Sequence, residues 1–315
     1  MIMQTILGAG GAIGIPLAKA LKNYTDEIRL VSRNPKPVNP DDELHPANLK
    51  DFSNIDAAVA GSDVVYVTIG FEYNIKVWRN TWPPFIKSVI DACEKHDAKL
   101  VFFDNVYMYD KAAIPHMTEE SLMNPPSKKG AVRKQLVEMI FEAVEAGRIE
   151  ALIARAADFY GPNNENSWLM ETIAKPLHQG KRANILGAAD KKHSFTYTPD
   201  AGKATALLGN TPDAYNKVWH LPTHPDTLTQ AEWVDVFARE MGIDNPKYTE
   251  VPKFMVRMLG IFSPVMREFP EMLYQFDRDY FLDSSKFEER FDFQPTSYEE
   301  GAKQTVAAMG APDVE

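Results

Sequence analysis

The chain has 315 residues, of which 44% are hydrophobic and 25% are charged, a composition that is typical of one or two globular domains and excludes a disordered or collagen-like chain. The formal net charge of -10 argues against a general electrostatic attraction to nucleic acid or to an anionic membrane surface. The single cysteine, Cys93, excludes an intrachain disulfide and a cysteine-based zinc site. The histidines show no metal-ligand spacing, so we expect no metal.

The N-terminal residues lack the basic, apolar and small-residue regions of a secretory signal. No apolar run approaches the roughly 18 residues that a membrane span requires. The longest apolar stretch, residues 254–266, contains Arg257 and Pro264. We therefore expect a cytoplasmic protein that binds a small-molecule substrate, has no nucleic-acid or membrane partner, and is a monomer or a homodimer.

Short apolar runs alternate with helical patterns in the first half of the chain. Strands are predicted at residues 2–7, 27–31, 64–69, 100–103 and 151–156, and helices at residues 13–22, 53–60, 83–96 and 127–146. Ser53 is the expected N-cap of the second helix, and Pro83 and Pro84 are expected to begin the third. Residues 33–46 are an expected loop. The alternation predicts an α/β protein with a doubly wound, Rossmann-type parallel sheet.

After about residue 160 the alternation stops and the loops become longer. Helices are predicted there at residues 229–241, 252–276, 284–291 and 297–309. We assign residues 1–165 to a dinucleotide-binding domain, to which the chain returns at about 193–227. Residues 166–192 and 228–315 are assigned to a smaller, mostly helical substrate-binding part. The substrate pocket is expected between the two, because ligands of open α/β sheets bind outside the carboxyl ends of the strands.

A glycine-rich turn, ILGAGGAIG at residues 6–14, joins the first predicted strand to the first predicted helix. Gly8, Gly11 and Gly14 have the spacing G-x-x-G-x-x-G, and Gly10 adds a fourth glycine. A turn without side chains lets backbone N–H groups approach a pyrophosphate at a helix N-terminus, where the helix dipole favours an anion. Because the turn lies between a strand and a helix, we predict dinucleotide binding. A purely structural turn is the alternative.

The end of the second strand indicates which dinucleotide binds. An acidic residue at this place holds the ribose 2′-hydroxyl of NAD, but the sequence has no acid between Arg29 and Asn39, and Ser32 and Arg33 lie at the tip of the strand. The guanidinium of Arg33 suits a 2′-phosphate, to which it can donate paired, charge-assisted hydrogen bonds. We therefore predict NADP(H) rather than NAD(H). A solvated loop cation is the alternative for Arg33.

Further segments resemble the extended short-chain dehydrogenases/reductases, also called the NAD-dependent epimerase/dehydratase family. They are ANLKD (47–51), VTIG (67–70), FFDNVYMYD (102–110), RAADFYGPN (155–163), HSFTYTPDAGKATALL (193–208) and FLDSSKFEERFDFQPTSYEEGAKQTV (281–306). The first four resemble the adenine-contacting segment, a strand end beside the dinucleotide, the segment with the catalytic serine, and the stretch beside the nicotinamide. The last two resemble the return strand and helix and the C-terminal tail of the family.

The resemblance covers most of the chain and extends the expected cofactor site beyond the glycine turn. Together with the turn, it implies contacts to the cofactor from Gly8, Gly10, Gly11, Ala12, Ile13, Gly14, Ser32, Arg33, Asn48, Leu49, Thr68, Ile69, Gly70, Asn105, Arg133, Ala156 and Asp158.

The family's catalytic Ser, Tyr and Lys are all replaced, so the chain resembles an atypical branch. Aligned with the family pattern, Asn105 stands at the Ser position, Lys129 at the Tyr position and Arg133 at the Lys position. Asn105 can hydrogen-bond a substrate oxygen, and Arg133 can hold the nicotinamide ribose hydroxyls but cannot release a proton. Lys129 lies one helical turn before Arg133. Because their like charges repel, Lys129 is the expected proton donor.

Two interpretations compete with this role of Lys129. Asp104 is close enough in sequence to neutralise the pair of cations, which would argue against proton donation. Alternatively, Lys128, Lys129, Arg133 and Lys134 form a solvated basic face of the helix, as charge runs on helices usually do.

Tyr107 is a further catalytic candidate, since Tyr107 and Tyr109 alternate in a segment expected to be extended and would then face the same side. Aromatic and polar side chains are predicted to line the substrate pocket, with core packing as the alternative for the aromatic ones. The candidates are Tyr73, Trp78, Tyr109, Phe159, Asn166, Trp168 and His193.

Three functions follow as hypotheses. The first is an NADP(H)-dependent oxidoreductase that acts on a carbonyl or hydroxyl of a small organic substrate. The second is a nucleotide-sugar epimerase or dehydratase with tightly bound NAD, in which Lys181, Arg182, Lys191 and Lys192 are candidates for a diphosphate clamp. The third is a non-catalytic, NADP(H)-binding regulatory protein. The first two make the chain an enzyme.

Overall fold

The computed structural model describes residues 2–164, 167–252, 255 and 267–310. The described chain divides into two compact units. Unit 1 comprises residues 1–108, 128–155 and 199–221, and unit 2 comprises residues 109–127, 156–198 and 222–315. Residues 109–127 and 156–165 thus group with unit 2, although the sequence analysis assigned them to the first domain. The predicted division by function stays a prediction.

Unit 1 contains a parallel sheet of seven described strands, which confirms the predicted Rossmann-type α/β fold. The strands are β1 (Gln4–Leu7), β2 (Ile28–Ser32), β3 (Glu43–Pro46), β4 (Val64–Val67), β5 (Lys99–Asp104), β6 (Ala151–Arg155) and β10 (Val218–His220), and their spatial order is β10-β6-β5-β4-β1-β2-β3. The chain therefore reverses its winding between β1 and β4, which is where ligands bind in doubly wound sheets.

Unit 1 also contains helices that flank this sheet. They are α1 (Gly14–Leu21), α2 (Asn54–Val59), α3 (Ile75–His96), α4 (Lys128–Glu145) and most of α6 (Thr198–Gly209). The α4 helix buries Val132, Leu136 and Ile140 on one stripe, as its sequence pattern predicted. It ends before Gly147, whose φ of +67° lies in the left-handed region that glycine adopts without strain.

One strand, one helix cap and one helix start differ from the sequence predictions. Residues 43–46, predicted as loop, form the edge strand β3, which pairs with β2. The sequence of β3 is polar and ends in Pro46, so it has no apolar pattern that would predict a strand. The strand is stabilised instead by its pairing with β2 and by the Arg29–Glu43 ion pair at 2.7 Å. Ser53 precedes α2 as predicted, but its side chain makes no capping hydrogen bond.

The α3 helix begins at Ile75 rather than at the prolines predicted to start it, so Pro83 and Pro84 lie inside the helix. Asn74 caps it, because its side chain accepts hydrogen bonds from the backbone N–H groups of Lys76 and Val77. The interior prolines each remove a backbone donor. The helix continues through them while burying an aromatic and aliphatic face of Trp78, Trp82, Phe85, Ile86, Val89 and Ile90.

Unit 2 contains two small parallel sheets as well as helices. In one sheet β7 (Asp158–Tyr160) pairs with β9 (Phe195–Tyr197), and in the other β8 (Ala183–Leu186) pairs with β11 (Tyr248–Val251). The helices are a π-helix (Met170–Ala174), α5 (Lys175–His178), α7 (Gln230–Glu240), a 3₁₀ helix (Pro270–Gln275), α8 (Ser285–Phe291) and α9 (Tyr298–Met309). The core of this unit includes Tyr160, Trp233, Phe237 and Tyr298.

Most of the helix predicted at residues 252–276 lies outside the described residues, and its described end is the 3₁₀ helix at Pro270–Gln275. The apolar stretch 254–266 also lies outside them, except for Met255. Over the described ranges, no helix combines the length and the apolar character that crossing a bilayer demands.

Candidate active site

The glycine turn lies at the carboxyl end of β1 and begins α1. Gly8 has a φ of +105°, and a Cβ placed on it would lie 2.5 Å from the backbone nitrogen of Ile69. A Cβ on Gly14 would lie 2.6 Å from the carbonyl oxygen of Ala9. These two glycines are therefore required by the backbone itself. A Cβ placed on Gly10 would have no heavy atom within 4 Å, and a Cβ placed on Gly11 would lie 3.7 Å from the carbonyl oxygen of Gly8. Both positions therefore have room for a side chain.

The turn has backbone donors beside an open cavity. Among the described residues, none accepts a hydrogen bond from the backbone N–H groups of Gly10, Ala12 and Ile13. The adjoining cavity has a volume of about 430 Å³ and is lined at this end by Gly8, Gly10 and Gly11. Unpaired N–H groups at the start of a helix form an anion site, so the turn fits a pyrophosphate.

The rest of the cavity is lined by residues from three strand ends. Ser32 is the last residue of β2 and Arg33 follows it, Asn48 to Lys50 follow β3, and Thr68 to Glu72 follow β4. Arg33 is exposed and has no ion pair or hydrogen-bond partner in the part of the chain that the structure describes. Lys50 is exposed too, and its ammonium has no ion-pair partner there.

The cavity fits the predicted nucleotide. Its volume lies within the range of about 300–1,000 Å³ of small-molecule sites, its inner wall offers backbone donors, and its rim carries two cations. The structure brings together most residues predicted from the turn and the strand ends. These are Gly8, Gly10, Gly11, Ser32, Arg33, Asn48, Leu49, Thr68, Ile69 and Gly70.

A second cluster lies where β5 ends and α4 begins. The side chain of Asp104 is fully buried and accepts hydrogen bonds from Nε of Arg133 at 2.7 Å and from its Nη2. Nη2 of Arg155 lies 3.7 Å from the other carboxylate oxygen. Asp104 thus offsets the charge of Arg133, which is the outcome that argues against a charge-driven proton donation by Lys129.

Aromatic rings lie against two buried cations of α4, Lys129 and Arg133. The Arg133 guanidinium lies 4.7 Å from the ring centroid of Trp82 and 4.8 Å from that of Phe102. The Lys129 ammonium lies 4.6 Å from the ring centroid of Tyr73. Lys129 is 0% exposed and Arg133 is 3% exposed, so the predicted solvated basic face is wrong for both residues.

Asn105 and Tyr107 form a turn directly after β5. The Oδ1 atom of Asn105 accepts a hydrogen bond from the backbone N–H of Tyr107 at 3.0 Å. The Tyr107 ring stacks on Trp78, with the ring centroids 6.3 Å apart. Because this segment is a turn, the prediction that Tyr107 and Tyr109 alternate along an extended strand is wrong. Tyr109 is fully buried and Trp78 is 6% exposed.

Unit 2 holds a separate polar cluster around Asp158. Its Oδ2 atom lies 2.8 Å from Nε2 of His193 and accepts a hydrogen bond from Nε1 of Trp168 at 2.9 Å. His193 is 1% exposed and stacks on Tyr280 with ring centroids 4.0 Å apart. Burial, together with the charge of Asp158, raises the pKa of Tyr280 well above its usual value. Burial raises the pKa of Tyr274 to about 12.

The remaining candidates divide into three groups. Asn166 lies outside the described residues. Ala156 is buried and Phe159 is half-buried, both in unit 2. Of the four cations proposed as a diphosphate clamp, Arg182 donates hydrogen bonds to Thr249 and to the backbone of Tyr248, Lys181 donates to Gln179, and Lys191 pairs with Asp190.

The NAD dependent epimerase/dehydratase family model matches residues 4–220, which is more than half of the chain. The chain belongs to this family. The match includes the glycine turn and both buried cations of α4, Lys129 and Arg133, and it confirms the predicted resemblance. The family is one of enzymes. A sequence comparison with curated proteins gives no match.

Solved structures of the same fold resemble the chain over nearly its whole length. UDP-N-acetylglucosamine 4-epimerase from Bacillus cereus has a TM-score of 0.78 at 16% identity, with 100% of this chain and 99% of that chain covered. UDP-glucose 4-epimerase from Thermus thermophilus, in complex with NAD, has a TM-score of 0.77 at 15% identity, with 98% and 100% covered. dTDP-glucose 4,6-dehydratase from Streptomyces venezuelae, with NAD bound, has a TM-score of 0.76 at 15% identity, with 98% and 96% covered.

Sequence reasoning missed several residues of this epimerase/dehydratase-family site. Lys50 and Glu72 line the cavity, and they lie within segment 47–51 and two residues after segment 67–70, which the family resemblance had marked. Trp82 encloses Arg133, but its position inside α3 was hidden by the prolines beside it. The pairing of Asp104 with Arg133 was weighed only as an alternative, because sequence spacing does not show which cation a strand-end acid meets.

Proposed function

We propose that the chain is an NAD(P)-dependent epimerase or dehydratase that acts on a nucleotide-sugar. One observation carries the proposal: a cavity lies at the glycine turn, where none of the described residues accepts a hydrogen bond from three backbone N–H groups. The chain shares its fold, over at least 98% of its length, with epimerases and dehydratases of nucleotide-sugars. The comparisons support this second hypothesis better than the first, the reduction of a small carbonyl compound.

We assign separate roles in binding and proton transfer to residues of unit 1. The N–H groups of Gly10, Ala12 and Ile13 would bind the pyrophosphate. A bound dinucleotide would supply the chemistry of taking a hydride from a sugar carbon and returning it. Lys129, the ionisable group at the family's Tyr position, would exchange the hydroxyl proton at Nζ because of its position alone, since Asp104 offsets the charge of Arg133 that was expected to drive the transfer. Arg133 cannot take this role, since a guanidinium does not give up its proton and Asp104 fixes it.

We also propose that NADP(H) binds more tightly than NAD(H). Arg33 and Lys50 are the support, because both are exposed cations at the rim of the cavity beyond β2 and β3. Glu72 is the acid among the lining residues, and it follows β4 rather than β2. A 2′-phosphate would gain charge-assisted hydrogen bonds from Arg33 that a 2′-hydroxyl cannot make to the same extent.

Calorimetric titration with NADPH and NADH tests the cofactor preference. We expect NADPH to bind severalfold more tightly to the wild-type protein, and Arg33→Ala to remove the difference. Lys36→Ala is the matched control, because Lys36 is an exposed cation of the same loop that does not line the cavity. Equal affinities in the wild type would refute the preference, and no heat with either nucleotide would refute dinucleotide binding.

Turnover distinguishes the three functions. We expect NMR to show an epimerised or dehydrated product from UDP-glucose, UDP-N-acetylglucosamine or dTDP-glucose. Lys129→Met should abolish this turnover without loss of NADPH binding, and the exposed neighbour Lys128→Met should not. Oxidation of NADPH by 9,10-phenanthrenequinone without any sugar product would favour the small-carbonyl oxidoreductase. NADPH binding without either reaction would favour the regulatory protein.

A further inference from the structure

Two parallel strands of unit 2 begin side by side, and cations precede both of them. Ala183 of β8 is paired with Tyr248 of β11, and the backbone N–H of Ala183 donates to the carbonyl oxygen of Lys247 at 2.9 Å. Lys181 and Arg182 directly precede β8, and Lys247 directly precedes β11. Because paired parallel strands begin at the same edge of a sheet, the pairing brings these three cations together.

The three cations line one cavity, which has a volume of about 210 Å³. Its other lining residues are Leu177, Gly180, Ile243, Asn245 and Pro246. None of the lining residues is therefore acidic, although the chain as a whole has 44 acidic residues and 34 lysines and arginines. The cavity is a locally positive place in a protein of negative net charge.

The charges of these cations are not offset by nearby acids. All three residues are exposed, and none of the described carboxylates forms an ion pair with any of them. Other cations of the same unit do have such partners, since Lys175 lies 2.6 Å from Glu171 and Lys191 lies 3.2 Å from Asp190. The contrast indicates that the cavity suits an anion from outside the described chain.

Neutral partners orient two of the cations. Nε of Arg182 donates to Oγ1 of Thr249 at 3.1 Å, and Nη2 donates to the carbonyl oxygen of Tyr248 at 2.7 Å. Nη1 of Arg182 donates to none of the described residues. Nζ of Lys181 donates to the amide oxygen of Gln179 at 2.9 Å. The guanidinium is thus held in place while its charge stays available to a ligand.

A second cavity of unit 2, with a volume of about 360 Å³, adjoins the first one. The two share Leu177, Gly180 and Ile243, and the second is also lined by the apolar side chains of Met241 and Val306. Its acidic lining residue, Glu240, does not line the first cavity. An anion is therefore favoured in the first cavity, whereas an apolar group is favoured in the second.

We propose that the two cavities form one binding site for a soluble phosphate monoester that carries a short apolar group. A phosphate monoester has a charge of about −1.5 to −2 at neutral pH, so it would offset most of the charge of Lys181, Arg182 and Lys247. The first cavity is smaller than the roughly 300–1,000 Å³ of most small-molecule sites, so it has room for the phosphate only. The apolar group would then lie against Leu177 and Ile243.

This site differs from the diphosphate clamp considered from the sequence. Lys191 and Lys192, the other two residues of that clamp, line neither cavity. Lys247, which the sequence analysis did not consider, takes their place. The proposal goes beyond the proposed function, because it needs neither a dinucleotide nor a nucleotide-sugar.

NMR titration with hexyl phosphate tests the site directly. We expect the methyl resonances of Leu177 and Ile243 to shift, and those of Ile140 in unit 1 to stay unchanged. Affinity should rise by about tenfold or more from inorganic phosphate to hexyl phosphate, because only the ester has an apolar group to bury. No shift with hexyl phosphate, or equal affinity for the two compounds, would overturn the proposal.

Two further compounds test the preference for a doubly charged group. Hexanoate should bind about threefold or more weakly than hexyl phosphate, and hexanol more weakly still, since they carry one charge and none. Raising NaCl from about 50 to about 500 mM should weaken hexyl phosphate binding but not hexanol binding, because salt screens exposed charges. Equal affinity for all three compounds would contradict the role of the cations.

Substitutions locate the charged end of the ligand. Lys181→Ala and Lys247→Ala should each weaken hexyl phosphate binding by about threefold or more, because each removes a cation from the cavity. Lys303→Ala is the matched control, since Lys303 is an exposed cation of α9 in the same unit that lines neither cavity. Similar losses in all three variants would mean a general electrostatic attraction and would refute the site. Urea unfolding checks that the variants are equally stable.

UDP-glucose and lipid vesicles separate this site from its alternatives. If UDP-glucose displaces hexyl phosphate and Lys247→Ala weakens both, the cavity belongs to the nucleotide-sugar site and the inference is wrong. If vesicles with phosphatidic acid bind but hexyl phosphate does not, the partner is a membrane surface and the inference is also wrong. Hexyl phosphate binding without turnover of any nucleotide-sugar would support the inference and refute only the proposed function.

Discussion

The glycine turn and the charged cluster of α4 lie in the same unit, yet they are built differently. The turn exposes backbone donors, and it works because side chains are missing at Gly8 and Gly14. The cluster buries charges, and it is stable because Asp104 and Arg133 compensate each other inside aromatic rings. A change in the turn should therefore act through the backbone and the ligand, whereas a change in the cluster should act through uncompensated charge.

The largest effect is expected from Asp104→Ala. This change leaves Arg133 buried without its carboxylate and removes the carboxylate that lies 3.7 Å from Nη2 of Arg155. Breaking a buried ion pair from one side costs about 3–5 kcal/mol, so the free energy of unfolding in urea should fall by that amount.

Glu138→Ala is the matched control for Asp104→Ala. Glu138 lies 3.6 Å from Lys134 on the exposed face of the same helix, and exposed pairs of this kind contribute about 0.5 kcal/mol or less. If Asp104→Ala costs no more than Glu138→Ala, the contrast between the two regions is wrong.

Substitutions at two glycines of the turn should distinguish an effect on folding stability from an effect on nucleotide binding. Gly8→Ala forces a Cβ to within 2.5 Å of the Ile69 backbone at a φ of +105°, and such strain costs about 1–3 kcal/mol. Gly10→Ala adds a Cβ in open space, so the free energy of unfolding should change by less than about 1 kcal/mol.

Calorimetry completes the test of the turn. Because Gly10 lines the cavity, the Cβ of Gly10→Ala should enter the space of the pyrophosphate and weaken NADPH binding without unfolding the protein. Full NADPH affinity in Gly10→Ala would mean that the nucleotide does not contact this side of the turn.

The glycine turn and the charged cluster of α4 could not be predicted equally well from the sequence. The glycine spacing, the apolar runs of β1, β4, β5 and β6 and the stripe of α4 predicted the sheet and the turn, because each follows from a local rule about the backbone or about periodicity. The polar edge strand β3 has no such signal, since a neighbour and an ion pair define it. The turn after β5 also lacks such a signal, because its shape depends on the hydrogen bond from the Tyr107 N–H to Asn105. The sequence therefore predicted this segment as extended.

The side-chain chemistry of the cluster was the least predictable part. Spacing placed Lys129 and Arg133 on one face of a helix, which is correct, but it could not show that this face is buried. Burial depends on Trp82 and Phe102, which lie on two other elements of unit 1. The pairing with Asp104 likewise requires the strand end and the helix to meet. Such tertiary compensation has no short-range pattern in the sequence.

The smallest expected effects concern the start of α3, the helix that contains Trp82, one of the two rings beside Arg133. Sequence reasoning gave a cap to Ser53 and none to Asn74, and the structure reverses this assignment. Asn74→Ala removes an acceptor from the N–H groups of Lys76 and Val77, so it should lower the free energy of unfolding by about 1 kcal/mol. Ser53 is exposed and its hydroxyl donates to Asp51 instead, so Ser53→Ala should change that energy by less than about 0.5 kcal/mol. Urea unfolding of the two variants side by side measures the difference. Equal losses would mean that the start of α3 is held by its buried aromatic face rather than by its cap.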